Sequence, residues 1–168
     1  TRRDQRDPHS FPTRRPSDLE KGLAIKVEAD KRDTGWGDQQ ASLEMILKNR
    51  FGQESKRRNR NKTLEVKGDG DKSLIVFDSP NDIKGTAFLS FTHSLKSDEQ
   101  WIFLPALKRV KRISSSNKSG PFLGSDFAYE DITSQEVDKY KYKYLNDEKL
   151  NGLNCFLVES YPKNKKTG

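Results

Sequence analysis

Hydrophobic and polar residues alternate along most of the chain that follows residue 30, and this alternation predicts β-strands. In the segment ASLEMILKN, Leu43, Met45 and Leu47 fall on one side of an extended chain, with polar residues between them. A period of two is typical of a strand with one buried face. Further segments of this kind are separated by turns rich in Gly, Pro, Asn and Asp: KTLEV, KSLIVFD, TAFLSFTH, QWIFLP, KYKYKY and LNCFLVESY. Such a series of short strands predicts an antiparallel meander in a barrel or a strongly curved sheet.

Helices are expected to be few and short, with residues 20–30 and 125–136 as the best candidates. The strand segments at 74–77 and 101–104 are apolar on both faces, although only 31% of the chain is hydrophobic. A curved sheet can bury one such face under a helix and keep the other for a ligand. Two apolar faces enclosed in an ordinary core fit the pattern equally well.

The N-terminal segment has a composition unlike the rest of the chain. The string HSFPTRRPSDL, residues 9–19, differs by one residue from a string that one reading frame of a common sequencing adapter encodes. We interpret residues 1–19 as translated adapter and residues 20–168 as the domain; a natural disordered arm is the alternative. On this interpretation any signal peptide lies upstream of Glu20 and is lost. The chain carries a net charge of +7, and the tail contributes five arginines against three aspartates, so the remainder stays basic.

Few residues are available for catalysis or metal binding. Cys155 is the only cysteine, which excludes an internal disulfide and a cysteine-based metal site. His93 is the only histidine outside the tail, so a catalytic triad would have to include it. No run of about 18 apolar residues predicts a membrane-spanning helix. We therefore expect no enzyme, no cofactor and no metal site.

Three blocks in the middle of the chain carry a family resemblance. They are PNDIKGTAFL at 80–89, WIFLPALKRVKRI at 101–113 and GSDFAYED at 124–131. Together they resemble the bacterial outer-membrane lipoprotein-sorting proteins of the LolA-like superfamily, and more narrowly its longer branch. The segment 33–52 resembles the opening strand of that family. The resemblance covers nearly everything from Glu20 onward, and family members continue beyond the point where this chain stops.

The resemblance implies a mainly β fold, a half-open antiparallel β-barrel with a few short helices that is incomplete at its C-terminus. It also implies a periplasmic protein that shelters acyl chains of lipids or lipoproteins on their way to the outer membrane, without enzymatic activity. An inner-membrane lipid-exporting transporter and an outer-membrane acceptor are the implied partners.

Two groups of residues are the candidate binding site of such a carrier. The residues expected to line an apolar concavity are Leu43, Met45, Leu47, Val76, Leu89, Phe91, Trp101 and Phe103. Four cations in the segment LKRVKRI are expected at its mouth, where they would bind a lipid headgroup or an acidic partner surface; they are Lys108, Arg109, Lys111 and Arg112. The alternative role of these cations is to keep a solvated edge strand from aggregating.

A second function remains open from the sequence. The sequence pI of about 9.4 and the tyrosines of KYKYKY are compatible with a basic sheet that binds single-stranded nucleic acid or an acidic protein. Against this, the cations are mixed with 25 carboxylates, and no RNP-type or helix-turn-helix pattern is present. We therefore favour the carrier and expect no nucleic-acid partner. Salt separates the two, because phosphate binding weakens steeply as salt rises.

Overall fold

The computed structural model describes residues 16–114 and 117–163. These residues form one α-helix and eight β-strands: α1 Asp18–Arg32, β1 Asp38–Lys48, β2 Glu54–Leu64, β3 Lys72–Ser79, β4 Ala87–Phe91, β5 Glu99–Leu104, β6 Arg109–Ile113, β7 Tyr140–Leu150 and β8 Leu153–Pro162. All strand pairs are antiparallel, and the sheets do not close into a barrel. The predicted mainly β, half-open architecture is confirmed.

Strands β1 to β6 form one meander in which each strand pairs with the next along the chain. Strands β1 and β6 are its edges. Strands β7 and β8 form a separate hairpin, in which Leu150 lies opposite Leu153. The two residues between them, Asn151 and Gly152, both have positive φ angles, of 52° and 85°. An Asn-Gly pair suits this tight turn, because both residues tolerate the left-handed region.

Strand β2 is longer than the sequence pattern predicts. Only KTLEV reads as a strand, but pairing with β1 extends back to Glu54. The part of β2 that was not predicted is polar on both faces, and ion pairs join it to β1. Glu44 of β1 lies 3.6 Å from Lys56 and 3.3 Å from Arg58. A polar strand of this kind carries no hydrophobic period, so it reads as a loop.

The hydrophobic core lies between β3 and β4 on one side and the segment 117–139 on the other. Ile75, Phe77, Phe88 and Phe122 are buried there. The ring of Phe122 contacts those of Phe88 and Tyr129, each with centroids 5.3 Å apart. The covering segment contains three short 3-10 turns rather than the helix predicted over 125–136. The protein's own aromatic side chains therefore fill this side of the sheet.

Helix α1 packs on the β7–β8 hairpin. It begins with a capping box, in which the Ser17 N–H donates to Glu20 and the Glu20 N–H donates to the Ser17 hydroxyl. The helix therefore starts two residues before the domain boundary expected at Glu20, and residues 1–15 lie outside the described part. Gly22 is the contact point, since a Cβ there would lie 2.7 Å from the backbone N of Tyr144. Among the described residues, no helix is long and apolar enough to cross a bilayer.

Candidate functional site

The six-stranded sheet has two faces with different surroundings. Side chains alternate along each strand, so residues paired in register share a face. One face, here called the core face, carries the buried Ile75, Phe77, Phe88 and Ile102. The opposite face, here called the open face, contributes no residue to the core cluster. Its side chains are half-buried or exposed.

The open face has an apolar centre that runs across four neighbouring strands. Leu89 lies opposite Leu74 on one side and opposite Trp101 on the other. The Trp101 ring meets the Phe91 ring edge-on, with centroids 5.3 Å apart. The apolar residues of this face on strands β3 to β6 are Leu74, Val76, Ala87, Leu89, Phe91, Trp101, Phe103 and Val110. Soluble monomers rarely leave such a contiguous apolar surface open without a use for it.

Cations border this apolar centre. Arg60, opposite Val76, makes a bidentate ion pair with Asp78, and Arg112, opposite Trp101, pairs with Glu99 at 3.1 Å. Lys62 lies opposite Leu74, and the Lys72 ammonium lies 5.0 Å from the centroid of the Phe91 ring. A pit of about 270 Å³ opens at this end of the face. Its lining consists of Asp38, Gln39, Gln40, Lys62, Thr63, Leu64, Lys72, Ser73, Leu74 and Leu89.

The structure brings five of the eight sequence-predicted lining residues together. Val76, Leu89, Phe91, Trp101 and Phe103 all lie on the open face. These five are the candidates from strands β3 to β5, and the strand register places them on one face.

The other three candidates lie on the opposite side of the sheet. Leu43 pairs with Asn59, which pairs in turn with Phe77, and Met45 packs against the core cluster. Leu47 follows on the same face of β1 by the same alternation. The eight residues therefore cannot line one shared hollow, as the sequence reasoning assumed. Their part in lipid binding stays a prediction.

The four predicted headgroup cations also divide between the faces. Arg112 lies beside Trp101 on the open face, whereas Arg109 and Lys111 lie opposite Leu104 and Ile102 on the core-face side. Lys108 occupies the turn before β6 with a φ of 49°. The four do not form a single cationic mouth, because β6 is a regular strand that alternates. A role in binding a headgroup stays a prediction for them.

A row of buried polar side chains on the core face was not predicted from the sequence. Ser90 and Gln100 lie opposite each other and are fully buried. Neither the Ser90 hydroxyl nor either polar atom of the Gln100 amide has a hydrogen-bond partner among the described residues. The sequence did contain a sign of this row. In FLSF and EQWIF, the polar Ser90 and Gln100 lie two residues from the buried Phe88 and Ile102, and therefore on the same face.

The two larger cavities are lined mainly by charged and polar residues. One of about 1040 Å³ lies between α1 and the turns at 65–71 and 134–138. Its charged lining is mostly acidic, with Lys26 and Lys67 against Asp30, Asp33, Glu65, Asp69, Asp71, Glu136 and Asp138. Burial raises the pKa of Glu136, and the charges of Asp71 and Asp30 raise it further. Among the described residues, no group of acidic, His or Cys side chains has the arrangement of a metal site.

His93, the histidine that a catalytic triad would have to include, belongs to a cluster of ion pairs that connects loops. Its Nδ1 lies 2.6 Å from Oδ2 of Asp69, and its backbone N–H donates to Asp98. Asp98 also accepts hydrogen bonds from the ammonium groups of Lys118, at 3.1 Å, and Lys139. Burial opposes the charge of Asp98, but the Lys139 hydrogen bond and the two ammonium charges hold its pKa below the usual value. These contacts join the β4–β5 turn to the start of β7.

Comparisons with known proteins agree with this fold. A family model described only as "uncharacterized protein"-like matches residues 69–168. The crystal structure of a candidate outer membrane lipoprotein-sorting protein domain from Vibrio parahaemolyticus is 57% identical, with a TM-score of 0.85 over 89% of this chain and 63% of that one. A DUF1329 family protein from Desulfovibrio piger is 32% identical, with a TM-score of 0.79 over 88% of this chain and 63% of that one. A search of curated proteins found no significant match.

A third solved structure extends the likeness to a wider group. A LolA superfamily protein from Nitrosomonas europaea is 19% identical, with a TM-score of 0.60 over 87% of this chain and 61% of that one. The chain thus spans less than two thirds of each of these relatives. The first of these structures confirms the resemblance to outer-membrane lipoprotein-sorting proteins, and the third shows that the half-open β-sheet is a LolA-like fold. The chain belongs to the uncharacterized-protein family whose model matches residues 69–168.

Proposed function

We propose that this chain is the carrier domain of a periplasmic lipid or lipoprotein carrier, and that acyl chains lie on its open face. The observation that supports this most is the contiguous apolar surface of β3 to β6, with the half-buried Trp101 and Phe91 at its centre. The similarity to a candidate lipoprotein-sorting domain points to the same class of cargo. The protein carries its ligand and does no chemistry on it.

The strength of binding follows from how much of an acyl chain the face removes from water. Full burial of a methylene contributes about 0.8 kcal/mol, and contact on one side contributes roughly half of that. A chain of a dozen methylenes would gain about 5 kcal/mol from such contact, which exceeds only the low end of the roughly 4–15 kcal/mol cost of association, so the tail alone is held weakly. Binding of this kind is weak enough for transfer from an inner-membrane transporter and on to an outer-membrane acceptor.

Binding of single-stranded nucleic acid is supported less well. Two of the three tyrosines that would stack on bases are covered, since Tyr142 is 4% exposed and the Lys21 ammonium lies 3.4 Å from the centroid of the Tyr144 ring. On the open face, Arg60 and Arg112 already pair with carboxylates. Base stacking requires an open aromatic ring, and these rings are not open.

Binding of a fluorescent fatty acid to two matched alanine variants tests the proposal. Trp101→Ala truncates the centre of the open face, and Leu43→Ala truncates a half-exposed residue of the core face. We expect Trp101→Ala to raise the Kd about tenfold, because a partly buried aromatic contributes about 1.5 kcal/mol, and Leu43→Ala to leave it unchanged within about twofold.

Two further measurements complete this experiment. Thermal unfolding checks that both variants fold. A titration from low to high salt with an uncharged acyl ligand, monooleoylglycerol, should leave its affinity nearly unchanged, because apolar contacts are not screened. Equal losses in the two variants, or a steep fall of the affinity for the uncharged ligand with salt, would contradict acyl binding at the open face.

A further inference from the structure

We infer that the pit on the open face binds the anionic headgroup of the cargo lipid between Lys62 and Lys72. This inference rests on the proposed function and names its ligand class, an acyl lipid that ends in a carboxylate or phosphate. The site differs from the Lys108–Arg112 segment that the sequence suggested, since only Arg112 among its four cations lies with Trp101 on the open face.

The two lysines are positioned to act on one group. Lys62 pairs with Leu74 in register, and Lys72 lies two residues before Leu74 on the same strand. Diagonal neighbours on antiparallel strands lie about 7–8 Å apart, so two lysine side chains at such positions reach a common anion. The pit is lined beside them by Leu64, Leu74 and Leu89. At about 270 Å³, the pit falls just below the range of about 300–1,000 Å³ that is usual for whole small ligands, and so suits a headgroup.

Charge pairing singles out these two lysines among the cations of the open face. Glu44 pairs with Lys56 and Arg58, Asp78 pairs with Arg60, and Glu99 pairs with Arg112. Within residues 16–114 and 117–163, neither Lys62 nor Lys72 has an ion pair.

One carboxylate also lines the pit. Asp38 contributes to its wall but makes no ion pair with either lysine. The lining of the pit thus contains two lysines and one carboxylate, and the site keeps a net positive charge. Uncompensated ammonium groups beside an apolar wall favour an amphiphile that brings an anion and a hydrocarbon tail together.

The direction of the bound tail follows from the register. From the pit, Leu74, Leu89 and Trp101 lie side by side on β3, β4 and β5. Neighbouring strands are about 4.8 Å apart, so the path from β2 to β5 is roughly 14 Å long. An acyl chain whose headgroup lies between the lysines therefore runs across the strands and over Trp101. The pit and the apolar centre act as two ends of one site.

The test compares an anionic with a neutral ligand of the same tail. We would measure displacement of a fluorescent fatty acid from the 168-residue chain by oleate and by the uncharged monooleoylglycerol. The double variant Lys62→Gln/Lys72→Gln should weaken oleate binding about tenfold and leave monooleoylglycerol within about twofold, because only oleate loses charge-assisted hydrogen bonds. The control variant Lys141→Gln/Lys143→Gln removes the same charge from exposed positions on β7 and should change neither affinity.

The possible outcomes separate this inference from the proposed function. If both ligands bind and the Lys62/Lys72 variant affects neither, or affects both equally, the headgroup site is refuted and the carrier stands. If no acyl ligand binds the unmodified chain, both proposals fail. Inorganic phosphate is tested as a third competitor of the fluorescent probe. Displacement of the probe by phosphate as effectively as by oleate would show a simple anion site and overturn the lipid headgroup.

Discussion

Replacement of Gln100 by leucine should stabilise the protein, which is unusual for a substitution in a buried strand. The side chain is fully buried on the core face, and neither its amide nitrogen nor its oxygen has a partner among the described residues. Burial of an unpaired amide costs about 1–3 kcal/mol in proteins. Leucine is close in volume and apolar, so it removes this cost without leaving a large cavity. We expect the free energy of unfolding to rise by about 1–3 kcal/mol.

Urea unfolding followed by the fluorescence of Trp36 and Trp101 measures this change. The midpoint should rise without a change in the m-value, and the melting temperature should rise by about 2–4 °C for each kcal/mol. Gln39→Leu is the matched control. Gln39 lies on β1, on the core face that also carries Gln100, but it is exposed, so its replacement should change stability by less than about 0.5 kcal/mol. A Gln100→Leu variant that is less stable than the unmodified protein by more than about 1 kcal/mol would refute the reasoning, since the amide would then have to be satisfied.

Two further substitutions test the contacts of α1 and of the ion-pair cluster. Gly22→Ala should lower the stability by about 1–3 kcal/mol through the clash with β7, although the same change in an exposed helix gains about 1 kcal/mol; a rise in melting temperature would contradict the close packing of α1. Asp98→Asn should cost about 3 kcal/mol at pH 7, because it leaves Lys118 and Lys139 unpaired. The pKa of Asp98 is lowered in the folded state, so this stability is present above the unfolded pKa of about 4 and is lost as the pH falls further. The difference between Asp98→Asn and the unmodified protein should therefore shrink below about pH 4, and a difference that stays constant down to acid unfolding would exclude this role.

The fold was largely predictable because most strands carry their own hydrophobic period. Strand β1 is an example, with Leu43, Met45 and Leu47 on one face. The polar half of β2 was not predictable in this way. Its stability comes from neighbours such as Glu44, which are distant in the sequence. Likewise, the segment 117–139 contributes Phe122 and Tyr129 to the core without forming a regular element, and no periodic pattern marks that role.

The candidate site was predictable within strands but not between them. A period of two shows which residues of one strand share a face, but the relation between strands depends on their register. A shift of one residue between β1 and β2 would have brought Leu43 to the same face as Trp101. The observed register places Leu43 opposite Asn59 instead. For the same reason the alternation of β6 separates Arg112 from Lys111, although both belong to one basic run.

The distribution of apolar residues between the two faces decides where a cargo can lie. On the core face, Phe122 contacts Phe77 and Phe88, so an acyl chain would have to displace the protein's own rings from β3 and β4. Loss of a buried phenylalanine contact costs about 3–5 kcal/mol, comparable to what a dozen methylenes gain by lying against an apolar face. The open face requires no such displacement. Because the open face holds the tail weakly, we expect the headgroup contact at Lys62 and Lys72 to add about as much to retention as Trp101 does. An acceptor with its own cations can compete for a charged contact of this kind.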